Sequence, residues 1–305
     1  MKATDLKKLE LAVAQKQWQQ VLNLIEPYEA ETQDDRQLNY YYVLSLYQTK
    51  HYVEGLKFAR DSFAFYLEND KMQNLYFSLL VGCQNFLDAH KFLVTLERLG
   101  ATNLANYQER LQEKEAEAFE MTATLKQKQK KFYHLGDLTI PEAYSTLEEA
   151  KQLPADAYFQ AAQFIFVDPF VHPLVRATIL ENVTFLARQE EINYYWLDEQ
   201  NHRVLLKGLP EILANKAQKN LTNYLTEKLA DQDPILLDGI LKEKNLFLSY
   251  LYPFADQIIT KPQVWADYWI AEYRGQAHPL TDQTQKIASW QAKFHKYTAQ
   301  LLENN

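Results

Sequence analysis

Aromatic residues recur at an interval of 34 in the first third of the chain, as Trp18, Tyr52 and Phe86. The same interval carries Val21, Gly55 and Ala89 three residues further on, and Ile25, Ala59 and Leu93 four beyond those. It also carries Ala12, Leu46 and Leu80, six residues before each aromatic. A fixed period with apolar or small residues at every repeated position restricts the fold to stacked copies of one supersecondary unit. The spacing predicts a helix, a short turn and a second, antiparallel helix. The aromatic opens the second helix, and the slim residue one turn later lets the two helices approach. First helices are expected over 4–16, 37–49 and 71–84, with partners over 18–30, 52–67 and 86–99.

The segments KQWQQVLNLI, KHYVEGLKFA and QNFLDAHKFL stand where tetratricopeptide repeats have their aromatic, their small residue and their following apolar residues. Residues 1–102 therefore resemble three tetratricopeptide repeats, with Trp18, Val21, Tyr52, Gly55, Phe86 and Ala89 as the repeat-packing residues. The resemblance implies a right-handed superhelix whose first helices line a concave face, and it implies binding of a protein or peptide. Leu9, Val43 and Phe77 depart from the family's small residue at the helix crossing, which implies looser or differently angled packing there. The family's carboxylate clamp for chaperone tails is not matched. Leu6, Glu10, Tyr41 and Leu75 occupy four of its positions and only Lys71 fits, so a chaperone-tail adaptor is disfavoured.

On the expected concave face, Tyr40, Tyr41, Leu44 and Tyr47 form a tyrosine-rich stripe at helical spacing, with Asn74 and Ser78 on the next first helix. Tyrosine gives broad contact area with a polar tip, as protein-binding surfaces use. The same spacing also describes a core stripe, so these residues are candidates for partner binding or for packing.

Residues 103–135 read as a charged connecting helix, or two helices broken near 122–124, with Leu104, Leu111, Ala118, Leu125 and Phe132 recurring every seventh position. Glutamates lead and lysines follow, which complements the helix dipole, and Gly136 is expected as the C-cap. Residues 136–305 form a second helical domain punctuated by Pro141, Pro154, Pro173 and Pro210, each expected to open a helix. Helices are expected over 141–152, 155–167, 173–189, 210–230, 234–251, 262–274 and 281–303. VDPFVHPLVRATILENV resembles the helix entrance of a HEAT-type repeat, with Val175, Ile179 and Val183 on one face. Between 192 and 206 the period changes to two, around turn residues 198–201, which predicts one β-hairpin. Trp265, Trp269 and Tyr273 form a core stripe or a partner patch. With this second block the chain is similar to tetratricopeptide-repeat proteins of low-GC Gram-positive bacteria, which carries over no catalytic residues.

Seven glycines in 305 residues leave little material for hairpins or phosphate-cradling loops, and none falls in a dinucleotide, Walker or nucleophile-elbow motif. A formal charge of -8 argues against nucleic-acid binding, which needs a basic footprint. The lone Cys83 sits in an apolar run and reads as a buried thiol in a reducing compartment. Charges at Lys2, Asp5, Lys7, Lys8 and Glu10 argue against a signal peptide, and the chain is expected to be cytoplasmic, with no membrane span. Glu199 and His202 are the one E-x-x-H pair, but they fall in the expected hairpin turn, so no metal and no cofactor is expected. The adjacent carboxylates Asp34/Asp35, Glu148/Glu149 and Glu190/Glu191 would point about 100° apart on a helix and read as surface charge. The expectation is an all-α, non-enzymatic scaffold that binds a partner polypeptide and that forms homo-oligomers in one version of the reading. The alternative is a repeat-containing regulator or peptide sensor.

Overall fold

The computed structural model describes residues 3–121, 123–279 and 281–303. It is all-α apart from one two-stranded antiparallel hairpin, and among the described residues no helix is long and apolar enough to cross a membrane. The chain divides into two compact units, residues 1–126 with 151–155, and residues 127–150 with 156–305.

The first unit is built from helix pairs in the expected register. They are α1 (Ala3–Ala14) with α2 (Trp18–Ile25), α3 (Arg36–Gln48) with α4 (Tyr52–Asp61), and α5 (Asp70–Gly82) with α6 (Phe86–Arg98). Second helices begin on Trp18, Tyr52 and Phe86, as the aromatic period requires. The turns repeat as closely. Lys16, Lys50 and Gln84 all take positive φ, at 55°, 64° and 55°. In each turn the following amide, that of Gln17, His51 or Asn85, reaches back to the carbonyl of Ala12, Leu46 or Leu80 at 2.8–2.9 Å. This is a Schellman closure, formed here without glycine. The second helices α2 and α4 are shorter than expected, because 3-10 segments Glu26–Gln33 and Phe63–Leu67 take over their last turns.

Leu9, Val43 and Phe77 are fully buried at the crossings, as are Val21, Ile25, Ala59 and Ala89. Asp35 and Asn69 cap α3 and α5 through their side chains. Inside, Tyr66 donates to Asn39 Oδ1 at 2.6 Å and Asn39 donates to Ser62 Oγ at 3.1 Å, so three buried polar groups satisfy one another.

The segment expected as a connector is two helices, α7 (Leu104–Met121) and α8 (Ala123–Tyr133), with residue 122 outside the described residues. α7 belongs to the first unit and packs on α5 and α6. It starts 34 residues after α5 and buries Leu111, 34 residues after Phe77, so it stands as a fourth first helix rather than a linker. Residues 151–155 complete this unit. The Lys151 carbonyl accepts from Leu87 N at 3.1 Å, Leu153 is buried, and Glu115 Oε1 accepts from Ala155 N at 3.0 Å and meets His90 Nε2 at 3.0 Å. The boundaries therefore fall at 126 and around 151–155, not at 102 and 135.

The second unit holds α8 from residue 127 on, α9 (Ile140–Ala150), all but the first residue of α10 (Ala155–Ile165), α11 (Pro173–Thr184), strands β1 (Glu191–Tyr195) and β2 (Asn201–Leu205), α12 (Lys216–Leu229), α13 (Pro234–Leu251), α14 (Ala255–Ile258), α15 (Pro262–Tyr273) and α16 (Asp282–Glu303). Strand register pairs Ile192 with Val204 and Tyr194 with His202, burying Ile192, Tyr194 and Val204 on one face. The hairpin is fastened by Arg176 of α11. This residue is 2% exposed, and its guanidinium donates to the carbonyls of Tyr195, Asp168 and Val171 at 2.6–2.7 Å. Trp196, at the end of β1, meets Phe254 at 5.0 Å and Trp290 at 5.4 Å. Val175, Ile179 and Val183 are buried, as are Trp265 and Trp269, while Tyr273 stays 46% exposed.

Two punctuation readings need correction. Pro210 does not open a helix: α12 starts at Lys216 behind the Asn215 cap, and the Pro210 carbonyl instead accepts from Tyr252 Oη at 2.9 Å. Gly136 is not a left-handed cap. It lies in a 3-10 turn, and its missing side chain makes room for the Asp168 carboxylate.

Candidate functional site

The residues expected on the partner-binding face lie on α3 and α5, whose helical positions correspond at the 34-residue interval, so that Tyr40 matches Asn74 and Leu44 matches Ser78. The tyrosine stripe does not act as one surface. Tyr40 is buried, with the Lys71 ammonium 3.9 Å from its ring centroid and Tyr41 edge-on at 6.1 Å. Burial, reinforced by Tyr41, pushes the Tyr40 hydroxyl above its ordinary pKa. Tyr41 is half-buried, and its hydroxyl accepts from Gln37 Nε2 at 2.9 Å. Leu44 is half-buried too. Tyr47 turns away along the helix and packs against Tyr52 at 5.5 Å. Tyr40 is therefore a packing residue, while Tyr41, Leu44 and Tyr47 keep part of their surface in solvent.

Asn74 is exposed and Ser78 buried, and both are held by a residue the sequence reading passed over. Arg110 of α7 donates to Asn74 Oδ1 at 2.7 Å and to Ser78 Oγ at 3.1 Å, with its guanidinium 5.1 Å from the Phe77 ring and 6.0 Å from that of Tyr107. Burial and the Asp70 carboxylate push the Tyr107 hydroxyl up, against the opposing pull of Arg110. The available signal was Leu111: once it is aligned with Leu9, Val43 and Phe77, α7 becomes the next first helix and Arg110 falls beside Asn74. Phenols, an amide and the cations Lys71 and Arg110 thus gather on the first helices. These groups stack, hydrogen-bond and carry charge to a contacting surface.

Phe86, Val21 and Ala89 are buried, while Trp18 and Tyr52 are half-buried. Gly55 is a true close approach, since a β-carbon there would stand 2.9 Å from Leu79 Cδ2 and 3.3 Å from Leu46 Cβ. Cys83 is half-buried rather than fully buried, and burial raises its thiol pKa.

Several of the side chains considered for chemistry make local contacts. His202 Nε2 meets Asp198 at 2.9 Å, not Glu199. Asp35 caps α3, Glu149 pairs with Lys131 at 3.0 Å, and Glu191 pairs with Arg203. Among the described residues no three histidine, cysteine or acidic side chains converge to hold a metal ion. No family model, no curated protein and no solved structure matches the chain.

Proposed function

We propose that the protein is a non-enzymatic interaction scaffold, related to tetratricopeptide-repeat proteins, that holds an extended or helical segment of another polypeptide against the first helices of its N-terminal unit. One observation carries this reading. Half-exposed Tyr41, Leu44 and Tyr47 are followed on the neighbouring first helices by exposed Asn74 and by Arg110, whose guanidinium is already fixed by Asn74 and Ser78. Tyrosine and arginine dominate the energetics of protein interfaces, and side chains held in place beforehand lose little freedom on binding. The in-register 34-residue pairs supply the rigid support that such a surface needs.

A photo-crosslinking residue at Leu44 tests the reading, with the same probe at Val53, which is 77% exposed on a second helix, as the control. The expected result is one discrete polypeptide adduct from native lysate at position 44, lost when Tyr41→Ala and Tyr47→Ala are combined at unchanged helicity. Equal labelling from position 53, or no adduct at 44, overturns it.

A further inference from the structure

Lys244 of α13 is 2% exposed, and among the described residues its ammonium makes one hydrogen bond, to Thr222 Oγ1 of α12 at 2.5 Å. An ammonium has three donors, and a buried charge persists only when paired or fully hydrogen-bonded. Desolvation accordingly lowers the Lys244 pKa to about 8. Thr222 also forms part of the wall of a surface depression of about 420 Å³ on the second unit. Because its oxygen accepts from Lys244, its own proton is left for a second acceptor. One helical turn earlier on the same face, Gln218 lines the wall as well, and its Oε1 is buried without a partner. Lys216 and Lys219 stand exposed at the rim, Asn223 adds an amide, and none of the lining residues is acidic. The first amides of α12 are already taken by Asp256, which accepts from Ala217 N at 2.7 Å, so a ligand here would be met by side chains and not by the helix end.

We propose that this depression binds a small protonated oxyanion, of which hydrogen phosphate is the simplest member. The relay runs from Lys244 through the Thr222 hydroxyl to an anionic oxygen, while rotation of the Gln218 side chain brings its buried Oε1 to the ligand's own O–H. Lys216 and Lys219 contribute attraction at longer range. Donors alone would suit any anion. The orphan acceptor at Gln218 adds the demand for a proton on the ligand, which hydrogen phosphate meets and sulfate does not. This site is independent of the binding face on the first unit.

Calorimetric titration of the full chain at pH 7 with inorganic phosphate, sulfate and acetate tests it. Saturable phosphate binding with a Kd of about 1 mM or tighter is expected, with sulfate and acetate at least about tenfold weaker. Thr222→Val and Lys244→Met should each weaken phosphate by about tenfold or more; Met fills the buried site without a charge and keeps the chain folded. A measurement on the unaltered protein runs beside these: the Lys244 amine, followed by NMR of labelled lysine, should titrate at higher pH when phosphate is present. Absence of phosphate binding, equal affinity for sulfate, variants that bind like the parent, or a Lys244 titration indifferent to phosphate would each overturn the proposal.

Discussion

The phenol ring of Tyr52 rests on the backbone of Gly82: a β-carbon at Gly82 would stand 2.9 Å from Cγ of the ring. Tyr52 opens α4 and Gly82 closes α5, so the contact joins the second helix of one pair to the first helix of the next. Gly82→Ala should lower stability by about 1–3 kcal/mol through overpacking, against a helix-propensity gain of about 1 kcal/mol. With Tyr52→Ala already in place the same change should be neutral or stabilising. Urea unfolding of the two single variants and the double variant reads the coupling, and strictly additive effects would contradict the contact.

Lys50 takes φ 64° between α3 and α4, a region costing an L-residue about 1–2 kcal/mol, and glycine there avoids the cost while adding its own chain entropy of about 0.5–1 kcal/mol. Lys50→Gly should therefore raise stability by about 0.5–1 kcal/mol, and Lys50→Val should lower it. Thermal unfolding checks both signs.

Tyr66 and Asn39 depend on each other inside the first unit, where the phenol donates to the amide oxygen at 2.6 Å. Tyr66→Phe strands that oxygen and should cost about 1–3 kcal/mol. Asn39→Leu combined with Tyr66→Phe removes both the donor and the acceptor of that bond, and should cost less than the two single changes together. A double-mutant cycle with no coupling would break the pairing.

His172 caps α11 by accepting from Leu174 N at 3.3 Å through Nδ1, while Nε2 faces the Tyr297 carbonyl at 3.2 Å and so carries the proton. The cap needs the neutral ring, because a protonated Nδ1 cannot accept, whereas the Tyr297 bond survives in either form. Burial, aided by the Arg176 charge, lowers the His172 pKa against the upward pull of the Tyr297 carbonyl. The unfolded chain, with a histidine pKa of about 6.5, then binds more protons than the folded one. The contribution of His172 is complete above that value and drains away as pH falls through it toward the folded pKa. Stability measured from pH 8 to pH 5 should fall more steeply for the parent than for His172→Asn, which can still cap but does not titrate. Equal slopes would refute the assignment.

Much of the fold was legible because its cause is periodic. A 34-residue recurrence of Trp18, Tyr52 and Phe86 marks where second helices start, and alternation at Ile192, Tyr194 and Val204 marks the hairpin. The fourth first helix escaped notice because the aromatic rule stops: the position 34 beyond Phe86 is Glu120. Pro210 and Gly136 misled because each residue type has two uses, and only tertiary contact decides between them. On the candidate face, spacing could not separate buried Tyr40 from half-exposed Tyr41, since helical neighbours differ by rotation about an axis whose placement depends on the flanking helices. Nor did LKEKNLFLSY betray that Lys244, in the run Lys242, Glu243, Lys244, is the one turned inward.

Residues 151–155 enclose Leu153 and supply the carbonyl that receives the Leu87 amide, yet residues 127–150 of the other unit precede them in the chain. On the ribosome the N-terminal body thus emerges unfinished and waits for a later stretch of the message before its last gap is sealed. A fragment halted at 126 should be looser than the same residues in the whole protein, and restoring it takes a piece of backbone that no cut at a single peptide bond can deliver.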